Sequence, residues 1–348
     1  MRKPGQAPTV KDVAALARVS PMTVSRVVSG VPTVAPQLRA KVLEAIDKLG
    51  YEPNRNASAI RSTSRSGGTV GLCVETIENP FSAAVARGLE LSLRPHGHLL
   101  FTASSDGEPD SEREVLLEFY RRRVSGLVVM TVRQDHSFLL PNIHRRIPIV
   151  YLDRPALLPG CDTVRSNHRD GARVCTAHLI AHGHRNIAFV GANVGGQPIG
   201  DRLDGFRVAL AEAGIPAEQA VVIDLPHDRT IAQIRIAVRR LFNSDNPPTA
   251  VFAASNFDML AVAQVLHELG RAMDVAHVAF DDIDAADLVT PPLSAYSQDP
   301  VELGRLAGDL ILRRIVADGP VETKNLVIDG RLFARGSGEI PGPAVAGS

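Results

Sequence analysis

The chain has 348 residues, 45% of them hydrophobic and 22% charged, and its formal net charge at neutral pH is zero. That length predicts two or three globular units, and an aromatic content of only 4%, without tryptophan, predicts aliphatic cores. No apolar run reaches the roughly 18 residues of a membrane span. The N-terminal segment lacks the apolar stretch of a signal peptide, and the three cysteines show no CxxC spacing. We therefore expect a cytoplasmic protein with reduced thiols and no membrane partner.

The zero net charge hides an asymmetry along the chain. Residues 1–61 contain ten Lys and Arg against four acidic residues, so this segment is +6 and the remainder is −6. A small basic segment on a mildly acidic body is typical of a protein that binds a polyanion. Charge alone leaves a second interpretation open, in which the basic residues form only a solvated surface.

The basic segment is predicted to fold into three short helices. In "TVKDVAALARV" apolar residues recur at helical spacing, and Thr9 with Asp12 resembles a capping box. After a three-residue break, Ser20 is a good N-cap and Pro21 suits the first position of a second helix, "PMTVSRVV". The stretch "PQLRAKVLEAIDKLG" predicts a third helix that ends at Gly50. This order has the spacing of a helix-turn-helix.

The residues that follow have the composition of a linker. Residues 62–68 are small and polar, and residues 54–61 have the composition for two helical turns with little core to pack on. The sequence thus divides into a helix-turn-helix head at 1–53, a hinge and linker at 54–66, and a core at 67–340.

From Thr69 onward, apolar strands alternate with amphipathic helices. The series begins with "TVGLCVE", "FSAAVARGLELSLRPHG" and "HLLFTAS", and it restarts with "DGARVCTAHLIAHGH" and "NIAFVGA". Two such series predict an α/β core of two doubly wound, parallel-sheet subdomains. Ligands of such sheets bind at the carboxyl ends of the strands, so we expect a ligand cleft between the subdomains.

Several sequence blocks together resemble the lactose-repressor (LacI/GalR) family of bacterial transcription regulators. The head contains "DVAALARVSPMTVSRVVSG" followed by "LGYEPNRNASAI", and the core contains "HLIAHGHRNIAFVG", "RLDGF" and "VAFDD" in the family's order. The resemblance implies a periplasmic-binding-protein-like core, a homodimer with a tetramer left open, and a palindromic double-stranded DNA operator as partner. It also implies a nucleoid-associated repressor that is controlled by a small-molecule effector, without enzymatic activity or a cofactor.

The family's architecture also implies lobe boundaries within the core. One lobe is expected to comprise residues 67–164 with a return segment near 297–322. The other lobe is expected to comprise residues 165–294 with the last strand.

The second helix is expected to lie in the major groove as the recognition helix. Arg26 can donate two parallel hydrogen bonds to a guanine edge, Met22 suits a thymine methyl group, and Pro21 can only pack. A surface arginine without a DNA role is the alternative for Arg26. By resemblance, Ala57 approaches the floor of the minor groove, and Ile60 stands where the family usually has a leucine wedge. The predicted DNA-binding set is Thr9, Val10, Ser20, Pro21, Met22, Thr23, Ser25, Arg26, Tyr51, Asn54, Arg55, Ala57 and Ile60.

The resemblance also implies an effector-binding set, which is Phe81, Asp153, Arg154, Arg202, Asn256, Asp281 and Gln298. For Phe81 a role as a core aromatic is equally open, and for Arg202 the alternative is an interdomain ion pair. Phe257 and Met130 stand where polar residues are expected from the family and from the lactose repressor. Acids and arginines around apolar walls suit a polyhydroxylated ring, so a sugar or sugar derivative is the first choice of effector. A purine stacked on Phe81, or a carboxylate held by Arg154 and Arg202, is second.

Other functions fit the sequence less well. A periplasmic sugar receptor has the same two-lobed core, but the basic head and the missing signal peptide argue against it. His178, His182 and His184 mimic the spacing of metal ligands, yet the stretch is better explained as an amphipathic helix, so no metal is expected. No Ser/His/Asp or Cys/His set indicates an enzyme. The sequence leaves open whether the effector acts as inducer or corepressor.

Overall fold

The structure is a computed structural model that describes residues 8–28, 33–51, 68–140, 147–192, 197–216, 219–226 and 229–343. Residues 1–64 and 65–348 form two separate compact units, which we name the head and the core. Within the described ranges, no helix is long and apolar enough to cross a membrane. Residues 52–67 lie outside the described residues. The predicted domain boundaries at residues 53 and 66 fall in this range, so both boundaries stay predictions.

The head contains the three predicted helices, α1 (Val10–Ala17), α2 (Pro21–Val28) and α3 (Pro36–Leu49). The capping box is confirmed, because the Thr9 hydroxyl accepts from the Asp12 backbone N–H and the Asp12 carboxylate accepts from the Thr9 N–H at 2.8 Å. Ser20 directly precedes α2, and its hydroxyl oxygen accepts from the Thr23 N–H at 3.1 Å. Local capping chemistry therefore determines where these helices start.

The apolar stripes of the three helices meet in one small core. Val13, Val24 and Val42, one from each helix, are fully buried there. The third helix ends as predicted at Gly50, whose φ of 58° is left-handed, a conformation that costs glycine least. The chain then turns back so that Tyr51 donates its N–H to the Ile46 carbonyl at 3.0 Å.

The elements of the core are, in chain order, β1 (Thr69–Val74), α4 (Pro80–Leu93), β2 (Leu99–Ser104), α5 (Pro109–Arg121), β3 (Gly126–Val129), β4 (Ile149–Leu152), β5 (Asp162–Ser166), α6 (His168–Ala181), β6 (Ile187–Ala192), α7 (Ile199–Glu212), β7 (Val221–Leu225), α8 (Ile231–Phe242), β8 (Ala250–Ala253), α9 (Asn256–Glu268), β9 (Ala276–Phe280), β10 (Ser294–Ser297), α10 (Pro300–Val316), β11 (Asn325–Ile328) and β12 (Arg331–Phe333). Short 3₁₀ helices lie at Arg94–His96, Ser137–Leu139 and Ala286–Leu288.

These strands form two six-stranded sheets, each the centre of one lobe. The first sheet has the order β11-β5-β4-β3-β1-β2 and is parallel throughout. The second has the order β12-β10-β9-β8-β6-β7, and only β12 runs antiparallel to its neighbour. The predicted fold class of two doubly wound lobes is confirmed. Both strand orders place the carboxyl ends of the central strands at one edge, where such sheets bind ligands.

Helices cover both faces of each sheet. In the first lobe, α4 and α10 pack on one face in a cluster that includes Leu89 and Ile311, whereas Leu116 of α5 packs on the opposite face. In the second lobe, α6 and α7 cover one face, and α8 and α9 cover the other. The central strands are therefore mostly apolar, as expected for a parallel sheet buried on both faces.

Helices α4 and α10 approach each other closely at two glycines. A Cβ atom on Gly304 would lie 2.1 Å from the Val85 carbonyl oxygen, and one on Gly88 would lie 1.9 Å from the Val301 carbonyl oxygen. Only glycine permits this backbone contact. The contact attaches α10, from late in the sequence, to the lobe that the early sequence builds.

The chain passes between the lobes three times, near Asn167, near residues 298–299 and near residues 329–330. The crossings are bonded to one another, since the Asn167 side chain donates to the Asp329 carboxylate at 2.9 Å. A Cβ on Gly330 would lie 2.1 Å from the Ser297 carbonyl oxygen, so the third crossing passes directly against the second.

The crossings refine the expected lobe boundaries. The first lobe extends through β5, and its return segment includes α10 and β11, beyond the expected limit of 322. The segment "LVIDGRLFARGS", which resembles the family's closing strand, contains parts of two strands in different sheets, because the chain turns at Asp329 and Gly330 between them.

Candidate DNA-binding surface and effector cleft

Helix α2, the expected recognition helix, presents exposed side chains of mixed polarity along one face. Met22 is 64% exposed, and Ser25 and Arg26 are also exposed, whereas Val24 and Val27 point into the head core. The exposed side chains combine a hydrophobe, a hydroxyl and a guanidinium. These groups can contact base edges and phosphates in a major groove.

The remaining described residues of the predicted DNA-binding set fall into two groups. Thr9, Ser20 and Pro21 are exposed, and Val10 and Thr23 are half-buried. Ser20 and Thr23 are hydrogen-bonded to each other through their hydroxyls at 2.9 Å, so they also fix the start of α2.

Tyr51 is the one described member of that set whose ring is buried, since it packs in the head core. Its ring therefore stabilises the three-helix unit, and a phosphate contact by its hydroxyl stays a prediction. Asn54, Arg55, Ala57 and Ile60 lie outside the described residues, so their predicted DNA contacts also stay predictions.

In the core, two acids follow equivalent strands of the two lobes. Asp153 follows β4 and Asp281 follows β9, and both are 8% exposed with left-handed φ values of 65° and 70°. This conformation is costly for a residue other than glycine, and aspartate is one of the residues that tolerate it. Its recurrence at both strand ends places a buried carboxylate from each lobe at the edge where ligands bind.

Arg202 of α7 lies at the centre of this edge, with only 3% of its surface exposed. Its guanidinium donates to the Ala254 carbonyl at 2.5 Å and to the Asp281 carboxylate at 3.3 Å, and it stacks 3.8 Å above the Phe280 ring centroid. The Nε–H of Arg202 has no hydrogen-bond partner within the described structure. Arg202 is therefore an ion-pair partner inside the second lobe that keeps one donor free.

The first-lobe acid Asp153 lies against His168, the first residue of α6. Its Oδ1 is 2.9 Å from the His168 Nε2, although the ring N–H does not point at the oxygen, so neither atom makes a regular hydrogen bond. Burial alone would raise the pKa of the Asp153 carboxyl, but the His168 and Arg202 side chains hold that pKa below its usual value. Asp153 is thus a buried carboxylate with free acceptor capacity.

Two amides complete the polar part of the cleft. The Gln298 side chain, on the second crossing, donates to Asp281, while its own oxygen has no partner within the described structure. The Asn256 side chain donates to the Asn79 side chain at 2.9 Å, which joins α9 of the second lobe to the N-cap of α4 in the first.

The two remaining predicted effector residues, Phe81 and Arg154, contact other protein side chains. Phe81 is buried and packs in the first-lobe core, beside Met130 in the same cluster. Arg154 is half-buried, and its guanidinium lies 3.9 Å from the Glu75 carboxylate. Contact of Phe81 or Arg154 with an effector stays a prediction.

Comparison with known proteins decides the family. Residues 9–54 match the bacterial regulatory proteins of the lacI family, and residues 176–338 match the periplasmic binding protein-like domain. The ribose operon repressor of Escherichia coli is 31% identical over 334 residues, which are 94% of this chain and 99% of that protein. The chain belongs to the LacI family.

Further relatives are consistent with this membership. The HTH-type transcriptional repressor PurR of Photobacterium profundum is 30% identical over 311 residues, which are 88% of this chain and 92% of that protein. A LacI-family regulator from Enterococcus faecium with bound ribose is similar in structure, with a TM-score of 0.69 and 26% identity over 77% of this chain and 98% of that one. This LacI-family chain is a DNA-binding transcription regulator and not an enzyme, which confirms both predictions.

The structure brings Asp153, Arg202, Asp281 and Gln298 together, and it adds two residues that sequence reasoning missed. His168 contacts Asp153 and Arg202, and Asn79 bonds Asn256. Both missed residues follow buried strands of the first sheet, a position that could have marked them as cleft candidates. Their partners come from the other lobe or from the neighbouring strand of the sheet, so residue spacing alone could not identify the contacts.

The three histidines of "HLIAHGH" have separate partners. His178 contacts Glu339, the His182 ring bonds the His178 carbonyl, and His184 bonds Thr249 and the Ile340 carbonyl. Among the described residues, no group of three or more His, Cys, Asp or Glu side chains could hold a metal ion. The side chains of His178 and His184 therefore attach the end of α6 to the C-terminal segment.

Proposed function

We propose that this LacI-family regulator is a homodimeric repressor that binds a palindromic operator, and that an uncharged, hydroxyl-rich molecule in the core cleft controls its operator affinity. We place its action in the cytoplasm, at the chromosome. The proposed effector class rests on one observation. Four buried polar atoms of the cleft have no hydrogen-bond partner within the described structure, namely Asp153 Oδ1, His168 Nε2, Arg202 Nε and Gln298 Oε1.

The chemistry of these atoms favours hydroxyl groups. Two of the four are acceptors by nature, namely the Asp153 and Gln298 oxygens, and Arg202 Nε is a donor. A buried polar atom without a partner costs about 1–3 kcal/mol, so a ligand that pairs several of them gains affinity. A hydroxyl both donates and accepts, which makes a sugar or polyol the ligand class that can pair the whole set.

The charges of the cleft argue against the carboxylate alternative. Arg202 is already paired with Asp281, and Arg154 lies beside Glu75. With Asp153 also buried, an anionic ligand would meet uncompensated negative charge in a region of low dielectric. The purine alternative is weakened because Phe81, its proposed stacking partner, is buried in the first-lobe core.

A homodimer is supported by the outer edges of the two sheets. The edge strand β2 exposes Leu99 and Phe101, and the edge strand β7 of the other lobe exposes Val221 and Val222. Exposed apolar edge strands favour association with another chain. A Phe101→Glu variant should therefore sediment as a monomer, whereas Met273→Glu, an exposed apolar control away from these strands, should not.

The function is tested with the full-length chain. An operator is first selected from random duplex DNA, and operator affinity is then titrated with D-ribose, cellobiose, D-gluconate, D-ribose 5-phosphate and guanine. We expect a neutral sugar to change operator affinity and, at 100 times its Kd, to stabilise the core by about 2.7 kcal/mol.

The matched control is Arg26→Ala, which should lose operator preference but keep the sugar-dependent stabilisation, because Arg26 lies in the head. Binding of only the anionic compounds would contradict the proposed effector class. The sign of the change in operator affinity distinguishes an inducer from a corepressor.

A further inference from the structure

His168 lies where the first crossing enters the second lobe. It follows β5 of the first sheet by two residues, and it is the first residue of α6, with 4% of its surface exposed. Its ring lies 5.8 Å from the Phe280 ring. The imidazole is therefore held between the first-lobe strand ends and the second-lobe sheet, inside the cleft.

The neighbours of the imidazole determine which nitrogen carries the proton. The Arg202 Nη2 lies 3.4 Å from the His168 Nδ1. A guanidinium nitrogen can only donate, so Nδ1 must be the acceptor and the proton of the neutral ring must be on Nε2. An Nδ1–H would face another donor, which disfavours the other tautomer.

The Nε2–H and the Asp153 Oδ1 form a matched donor and acceptor that do not satisfy each other. The two atoms are 2.9 Å apart but misaligned, and neither has another partner within the described structure. One hydroxyl group can accept from Nε2–H through its oxygen and donate to Oδ1 through its hydrogen. A carboxylate or phosphate can only accept, and an ammonium can only donate, so neither pairs both atoms.

We propose that His168 is a specificity-determining residue of the effector cleft, which with Asp153 binds one hydroxyl group of the ligand. This inference rests on the proposed function, since it assigns a contact within the same cleft. At this position the pair favours a neutral hydroxyl group over a carboxylate of similar shape. The proton position imposed by Arg202 gives His168 this selectivity, because the opposite tautomer would present an acceptor beside the Asp153 acceptor.

The test compares variants at position 168 in the full-length chain by isothermal titration calorimetry with D-ribose and cellobiose. His168→Phe keeps the ring and loses both nitrogens, so affinity should fall about tenfold or more. The His168→Gln side chain keeps an oxygen that accepts from Arg202 and an N–H that donates to the ligand hydroxyl, so sugar affinity should stay within a few-fold of wild type. His277→Phe is the matched control, because His277 is equally buried but lies at the start of β9, and its variant should bind as wild type does.

The outcomes separate this inference from the proposed function. If a sugar binds the wild type and His168→Phe equally well, His168 is not a specificity residue, and the sugar-controlled function stands. If neither sugar binds the wild type, the sugar function is overturned and the hydroxyl contact with it.

A second measurement does not require any variant to fold. Nitrogen-15 NMR of the histidine rings in the wild-type protein should show that Nε2 of His168 carries a proton and that Nδ1 accepts a hydrogen bond. The Nδ1–H tautomer would overturn the inference.

Discussion

Replacement of Arg202 by alanine should destabilise the core even without a ligand. The guanidinium is almost fully buried, and it pairs with Asp281, donates to the Ala254 carbonyl and stacks on Phe280. Removal of one partner of a buried ion pair leaves an uncompensated charge and typically costs about 3–5 kcal/mol. Since a whole domain is stable by about 5–15 kcal/mol, this change removes a large fraction of the stability of the core.

The assay is urea unfolding of the full-length chain, followed by circular dichroism. The double variant Arg202→Ala, Asp281→Asn removes the stranded charge as well, so it should recover part of the loss. A cost of less than about 1 kcal/mol for Arg202→Ala would refute the assignment of Arg202 as a stabilising ion-pair partner inside the second lobe. In that case Arg202 would serve the effector alone, as sequence reasoning allowed.

Three further predictions concern the head, the pH dependence and the helix contact. Arg26→Ala should cost about 1–3 kcal/mol at one guanine per half-site in a binding-site selection, whereas Lys11→Gln should weaken binding to all sequences and flatten its salt dependence. Burial lowers the pKa of His277 to about 4. As the pH falls from 6.5 to 4, His277 therefore becomes protonated in the unfolded chain but not in the folded chain. Stability should fall by about 3 kcal/mol across this window in the wild type and stay flatter in His277→Leu, measured as Tm against pH. Gly304→Ala should destabilise the core by about 1–3 kcal/mol and so lower its Tm, because the added Cβ would meet the Val85 carbonyl. An unchanged Tm would mean that α4 and α10 can move apart without cost.

Sequence reasoning was most successful where local chemistry determines structure. The caps at Thr9 and Ser20, the terminator Gly50 and the apolar runs of the central strands each act within a few residues, and the structure confirms each of them. By contrast, β5 was not recognised as a strand because its sequence, DTVRS, is mostly polar. Its buried Asp162 is compensated by Arg314, whose guanidinium donates to it at 2.6 Å from far along the chain.

The candidate site was predictable in part for the same reason. Asp153 and Asp281 each follow an apolar strand, and each matches a position of the family's sequence pattern. The sequence therefore identifies both as candidate effector-binding residues. The partners that define their chemistry do not follow from spacing. His168 meets Asp153 only because β4 and β5 are neighbours in the sheet, and Arg202 meets Asp281 across the second lobe. The buried ring of Phe81 likewise depends on packing with α10, which no local pattern reveals.

The three crossings impose an order on the synthesis of this protein. The first lobe lacks α10 and β11 until the last part of the chain is made, although its strands β1 to β5 are complete by Ser166. At typical rates of about 5–20 residues per second, the ribosome needs roughly ten seconds or more to produce the missing pieces. During that interval the apolar face that later receives α10 stays uncovered, and it is a natural target for chaperones. The head has its three helices from the first 50 residues, so a nascent chain can hold a folded DNA-binding unit well before it has a sensor to control it.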